Sequence, residues 1–127
     1  MIETVVVDLG GVAARFRPER RLQALASMSG VAEAVIRARL FDSGFEDEAE
    51  IGLHTPAAVI AAVQAAVEHR VEVPAIIEAW ALSFEPTAAV LDYIRGLGVQ
   101  SALFTNNGPD ARCLSRGSPA RACRGLR

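Results

Sequence analysis

Two short stretches of this chain read as β-strand, and most of the sequence lies between them. Thr4 to Asp8 contains three consecutive valines, and Val99 to Phe104, with Val99, Ala102, Leu103 and Phe104 apolar, is the second. Runs of this length, rich in β-branched or aliphatic residues, read as buried strands. The intervening residues follow a helical period, and the last helix before the second strand returns the chain to where the first began. Strands joined by such a crossover are expected to be parallel. The pattern is therefore an α/β chain in which one strand is separated from its neighbour by a long helical insertion.

Caps and stops divide that insertion. Pro18 is placed as a first helical residue, with Leu22, Leu25, Ala26 and Met28 on one side and Ser29-Gly30 as the end. A second helix begins near Val31 and carries Val35, Ile36 and Leu40 in its apolar stripe. Residues 41–52 read as an acidic loop containing Glu46, Asp47, Glu48 and Glu50, more plausibly solvated than metal-binding. Thr55-Pro56 opens a helix to about His69. Pro74 opens another, with Ile76, Ile77, Trp80 and Ala81 inward. Glu85-Pro86-Thr87 opens the last, with Val90, Leu91, Ile94 and Leu97 apolar and Gly98 as its stop. Trp80 reads as core, and His54 and His69 as surface residues.

Composition narrows the partners. Hydrophobic residues make up 51% of the 127, enough for a core, but aromatics are only 6%, so Ala, Val, Leu and Ile must fill it. A net charge of −2 gives no reason to expect nucleic acid or an anionic membrane. The longest apolar stretch, residues 57–67, is interrupted by Gln64 and is too short to span a bilayer. No basic segment precedes an apolar one at the N-terminus, so a cytoplasmic protein is expected. All thirteen basic residues are arginine, which removes the usual lysine from any phosphate site.

The chain changes character after residue 109. Residues 1–109 carry eight Arg against fourteen acids, a net of −6, whereas residues 110–127 carry five Arg against one acid, a net of +4. No apolar period of 2 or 3.6 survives there. A disordered basic tail and a binding arm are both compatible with this composition. The reading favoured is GC-rich sequence translated out of frame, which yields Arg, Ala, Gly, Pro, Ser and Cys. Cys113 and Cys123 match no metal or redox spacing and read as incidental thiols.

The chemistry begins at Asp8. A carboxylate that ends a buried strand and is followed by Gly10-Gly11 can act as a nucleophile or a metal ligand. In open α/β sheets, ligands bind beyond the carboxyl ends of the strands. Thr105-Asn106-Asn107 ends the second strand in the same manner.

Val5-Val6-Val7-Asp8-Leu9-Gly10-Gly11-Val12 resembles the first motif of the haloacid dehalogenase (HAD) superfamily, and Leu103-Phe104-Thr105-Asn106-Asn107 resembles its second. The helices between them look like the cap inserted after the first motif in one branch of that superfamily. Glu50-Ile51-Gly52 followed by Thr55 resembles a turn within such caps. The resemblance covers residues 1–109 and implies a partial Rossmann-like core, residues 1–13 and 85–109, with an all-helical cap, residues 14–84. It implies Asp8 as the nucleophile, Thr105 and the Asn106 amide as phosphoryl ligands, and Asp8 with the Gly10 carbonyl as ligands of Mg²⁺. The parent activity it implies is Mg²⁺-dependent hydrolysis of a small phosphate ester, with members resembling sugar-phosphate phosphatases.

Two departures qualify that activity. Gly10 stands where most such phosphatases carry a second Asp, and the motifs that supply a cation and further acids find no counterpart. The chain is therefore expected to be a truncated, inactive hydrolase with doubtful Mg²⁺ binding. Displacement of halide from a small acid is the enzymatic alternative, and a non-catalytic interaction module is the alternative of another class. A phospho-accepting domain fits less well, since such domains usually carry paired acids after the first strand. A two-stranded core with an exposed apolar edge is expected to be marginally stable or to self-associate.

Overall fold

A computed structural model describes residues 1–105 of the chain. The order of elements is β1 (Thr4–Asp8), β2 (Ala14–Phe16), α1 (Pro18–Ser29), α2 (Glu33–Leu40), α3 (Phe45–Glu50), α4 (Pro56–Ala66), α5 (Val73–Ala81), β3 (Phe84–Pro86), α6 (Ala88–Gly96) and β4 (Gln100–Phe104). The fold is mixed α/β, with a parallel two-stranded sheet and six helices among the described residues. It forms two compact units, one of residues 1–17 and 84–105 and the other of residues 18–83.

In the strand unit, β1 and β4 pair in parallel from Thr4↔Gln100 to Asp8↔Phe104. One face of this sheet rests on α6, where Val7, Ala13 and Ile94 are buried and Val5, Leu9, Val90, Leu91 and Leu103 pack around them. Among the described residues nothing packs on the other face, where Val6 and Phe104 are each 63% exposed. The sequence reads both β1 and β4 as buried strands, whereas one face of each is exposed. Apolarity in sequence does not distinguish a strand covered on two faces from one covered on a single face.

A second strand pair was not foreseen. β2 and β3 form a short antiparallel ladder, Ala14↔Pro86 to Phe16↔Phe84. The Phe16 and Phe84 rings stand 5.4 Å apart, and Arg17 pairs with Glu85 at 3.6 Å. Residues 14–17 and Phe84, assigned from sequence to the helical insertion, therefore belong with the strands.

The helical unit has its own core. Leu22, Leu25, Ile36, Val63, Val67 and Ile76 are almost wholly buried, with Leu40, Val31, Val71 and Ala79 beside them. α1 starts at Pro18, and Gly30 follows its end at φ +72°. The Ser29 hydroxyl donates to the Leu25 carbonyl and accepts the Val31 N–H, tying α1 to the next turn. Thr55 caps α4 by accepting the Ala58 N–H at 3.2 Å. Met28 and Val35, read as core-facing, are exposed instead.

Two further differences have local causes. The acidic residues 45–50 form α3 rather than a loop. Gly44 supplies a left-handed entry, Ser43 accepts the Phe45 N–H, and three acids sit in the first turn, where the helix dipole favours negative charge. α4 stops at Ala66, short of His69, because Glu68 and His69 both turn left-handed at φ 55°. Such residues cost about 1–2 kcal/mol each. The stop is tied down by Arg39, which donates to the Ala66 carbonyl at 2.9 Å, and by Arg70, which pairs with Glu68 at 2.8 Å.

One buried charge organises this unit. Arg21, only 3% exposed, extends into the core from α1, and its guanidinium pairs with Glu46 of α3. It lies 4.4 Å from the centre of the Trp80 ring and 4.9 Å from that of Phe41. A desolvated cation between aromatic faces gains about 2 kcal/mol, and the carboxylate offsets the cost of removing its charge from water. Removing one partner of a buried ion pair typically costs about 3–5 kcal/mol. Glu46→Ala is expected to destabilise the chain by about 3 kcal/mol in urea unfolding. Adding Arg21→Met is expected to recover part of that loss, because the stranded charge is then gone.

Candidate functional site

The site starts where β1 ends. The β1–β4 register sets Asp8 opposite Phe104, and the Leu9 N–H donates to the Phe104 carbonyl at 3.0 Å. Thr105 follows Phe104 directly, so Asp8 and Thr105 lie at the same end of strands about 4.8 Å apart. This is the carboxyl end of a parallel pair, where α/β sheets place their ligands.

The turn after Asp8 is closed by its own backbone. The Ala13 N–H donates to the Asp8 carbonyl at 3.1 Å, the Ala14 N–H to that of Leu9 at 2.8 Å, and the Gly11 N–H to that of Ala14 at 2.8 Å. Gly11 is left-handed at φ +78°, a conformation that glycine adopts without a Cβ penalty. The Ala13 carbonyl accepts the Thr87 N–H at 2.9 Å, anchoring the turn to the residue that enters α6. The Gly10 carbonyl takes no part in these bonds.

The side chains differ in their settings. Asp8 is exposed, and among the described residues its carboxylate has no hydrogen-bonding or ion-pair partner. Gly10 and Thr105 are half-buried. Asn106 and the basic segment 110–127 lie outside the described residues. The β2–β3 ladder bracing this turn was the part of the site missed from sequence. Its signal, the alternation Ala14-Arg15-Phe16 facing Phe84-Glu85-Pro86, is only three residues long on each side.

The other titratable candidates lie in the helical unit. His54 is half-buried, stacked on Phe45 at 4.4 Å between ring centres, with its Nε2 2.9 Å from Glu48. His69 is exposed in the turn after α4. Among the described residues no group of three or more His, Cys, Asp or Glu side chains is arranged to hold a metal ion. Mg²⁺ demands near-octahedral oxygen coordination and usually takes one or two carboxylates with water or phosphate oxygens. Among the described residues Asp8 and the Gly10 carbonyl offer one carboxylate and one neutral oxygen, the low end of that range. No helix among the described residues is long and apolar enough to cross a membrane.

Comparison with solved structures identifies the architecture. The chain superposes on a HAD family enzyme from Bacteroides thetaiotaomicron with a TM-score of 0.66 at 21% identity, covering 98% of this chain and 60% of that one. The same enzyme in complex with magnesium and inorganic phosphate gives a TM-score of 0.61 at 21% identity, covering 96% and 63%. A predicted HAD-like family hydrolase from Porphyromonas gingivalis gives 0.60 at 23% identity, covering 87% and 54%. The chain thus has a HAD-superfamily fold in part, spanning about 60% of the length of the first of these structures. No family model matches the sequence, and no curated protein matches it.

The two glycines of the turn should respond differently to a side chain. A Cβ at Gly10 or at Gly11 meets no atom within 4 Å, but only Gly11 is left-handed. Gly11→Ala is expected to cost about 1 kcal/mol in urea unfolding, while Gly10→Ala is expected to be neutral or slightly stabilising through loss of unfolded-state freedom.

Proposed function

From a HAD-type fold, we propose that the chain carries the nucleophile half of a phosphate-ester hydrolase site, and that as residues 1–127 it turns over little or no substrate. The observation that carries this reading is the exposed Asp8 carboxylate, without a partner among the described residues, at the same carboxyl end of a parallel strand pair as Thr105.

In this reading an Asp8 oxygen attacks the phosphorus of a small phosphate monoester. The bond to the ester oxygen breaks, the alcohol leaves with a proton taken from solvent, and an acyl phosphate remains on Asp8. Water then attacks that acyl phosphate, releasing inorganic phosphate and restoring the carboxylate. Thr105 donates its hydroxyl to a phosphoryl oxygen, and the Asn106 backbone N–H donates to another. Preorganised donors of this type stabilise the charge that develops in the transition state.

The inventory limits the rate. Gly10 provides no acid to protonate the leaving alcohol. Arg112 or Arg116 could supply a cation but not a carboxylate. Each missing charge-stabilising group typically costs about 10²–10³ in rate, although such losses do not add strictly. A second reading, displacement of halide from a small haloacid by Asp8, is favoured by the same single carboxylate, since that chemistry uses no metal.

The test separates chemistry from turnover. With an aryl phosphate, both the parent and Asp8→Asn are expected at background, with or without added Mg²⁺. With a reactive acyl phosphate donor, mass spectrometry is expected to find a phosphoryl adduct on Asp8 of the parent and none on the variant. Absence of the adduct from the parent would overturn the nucleophile assignment. Robust turnover abolished by Asp8→Asn would overturn the proposed inactivity.

A further inference from the structure

Resting on the reading of Asp8 as a nucleophile, we propose that Arg15 binds a second anionic group, a carboxylate or a phosphate, on the leaving part of the substrate. Of the three arginines in the described strand unit, Arg95 pairs with Asp92 at 2.8 Å and Arg17 with Glu85 at 3.6 Å. Arg15 is exposed and has no ion-pair partner among the described residues.

The β2–β3 ladder sets where Arg15 stands. The Ala14 N–H donates to the Leu9 carbonyl at 2.8 Å and Ala14 bridges Gly10, which closes the turn after Asp8 against the start of β2. Arg15 follows Ala14 directly and is the first cation after Asp8 in the chain. Successive side chains of a strand point to opposite faces. Phe16 meets Phe84 on one face of the ladder, so Arg15 lies on the other with its register partner Glu85. Arg17 returns to that second face, and the Glu85 carboxylate turns to Arg17 rather than across to Arg15. Two guanidinium groups and one carboxylate thus share this face, and the excess positive charge falls to Arg15.

The chemistry at Asp8 makes such a charge useful. Gly10 carries no side chain, so position 10 neither crowds a group leaving Asp8 nor hands it a proton. A group that departs as a stable anion needs no proton, and the acyl part of an acyl phosphate is one. An Asp8 oxygen attacks the phosphorus, the bond between phosphorus and the acyl oxygen breaks, and the carboxylate leaves with the electron pair. The phosphoryl group stays on Asp8. A guanidinium presents N–H donors in a planar fork that matches a carboxylate or a phosphate, and a neutral leaving part offers it no charge to meet. Arg15 therefore sorts substrates by the charge remote from the transferred phosphoryl group.

The experiment times adduct formation on Asp8 of the full chain by mass spectrometry, at donor concentrations well below saturation. Acetyl phosphate has no second anion, succinyl phosphate adds a carboxylate, and 3-phosphoglyceroyl phosphate adds a phosphate. Arg15→Gln is expected to leave the rate with acetyl phosphate unchanged and to slow at least one of the other two about tenfold. That is the low end for a hydrogen bond to a charged group, because Arg15 is exposed. Which donor slows identifies the anion. Arg15→Lys should keep part of the preference, and added salt should weaken it. Arg95→Gln removes the same charge from α6 and should change none of the rates. An equal effect of Arg15→Gln on all three donors, no effect on any, or an effect matched by Arg95→Gln would overturn the role of Arg15 and leave Asp8 as the nucleophile. No adduct with any donor would overturn the nucleophile assignment, and this proposal with it.

Discussion

The parallel ladder between β1 and β4 is the constraint on which the strand unit depends. It joins residues separated by most of the described chain and, by its register, sets the ends of two strands level. A slip of β4 by one residue would turn Leu103 away from α6 and take Thr105 out of level with Asp8. The same register thus determines both which side chains are buried and which reach the candidate site. Among the described residues the ladder is packed on one side, by α6, so its fidelity rests on Ile94, Val90 and Leu91 meeting the correct face.

The helical unit answers to a different requirement, the placing of a charge inside a mostly aliphatic core. Arg21 is tolerated because Glu46, Phe41 and Trp80 meet it from elements well separated in sequence. An aliphatic residue at this position would impose less direction, since apolar packing is less selective in orientation than a planar cation between rings. Arg39 and Arg70 act in a comparable way at the unit's margin, where they meet the carbonyls at the ends of α4 and α1. With lysine absent from the chain, these contacts use planar, multi-donor guanidinium groups, which suit forked and stacked geometries.

Much of the fold was legible because its signals are local. Pro18 and Thr55-Pro56 begin helices as expected, and Gly30 and Gly98 follow helix ends in left-handed turns. The parallel sense of the strands followed from their separation. The unforeseen features all depend on partners distant in sequence. β2 and β3 are too short to show a period and exist because each meets the other. The burial of Arg21 depends on rings about twenty and sixty residues away, and nothing near Arg21 announces it. α3 was missed because charge density was read as solvation, although acids at a helix start also favour the helix. At the candidate site, Asp8 and Thr105 were legible as strand-ending residues, while the anchoring of the turn by Ala14 and Thr87 was not.

The β2–β3 ladder has a consequence for the chain's modularity. The points where the chain leaves the strand unit and returns to it, near Phe16 and Phe84, are hydrogen-bonded neighbours. Closing so long a segment costs about 4 kcal/mol of chain entropy, which the ladder and its ring contact help to offset. Once the two ends are side by side, the strand unit does not depend on the length of what lies between them. A tight two-residue turn would join the same strands as an ordinary hairpin. In topological terms, the helical unit is an insertion at a hairpin tip, a position that accommodates segments of very different size and shape without rewiring the sheet that holds Asp8.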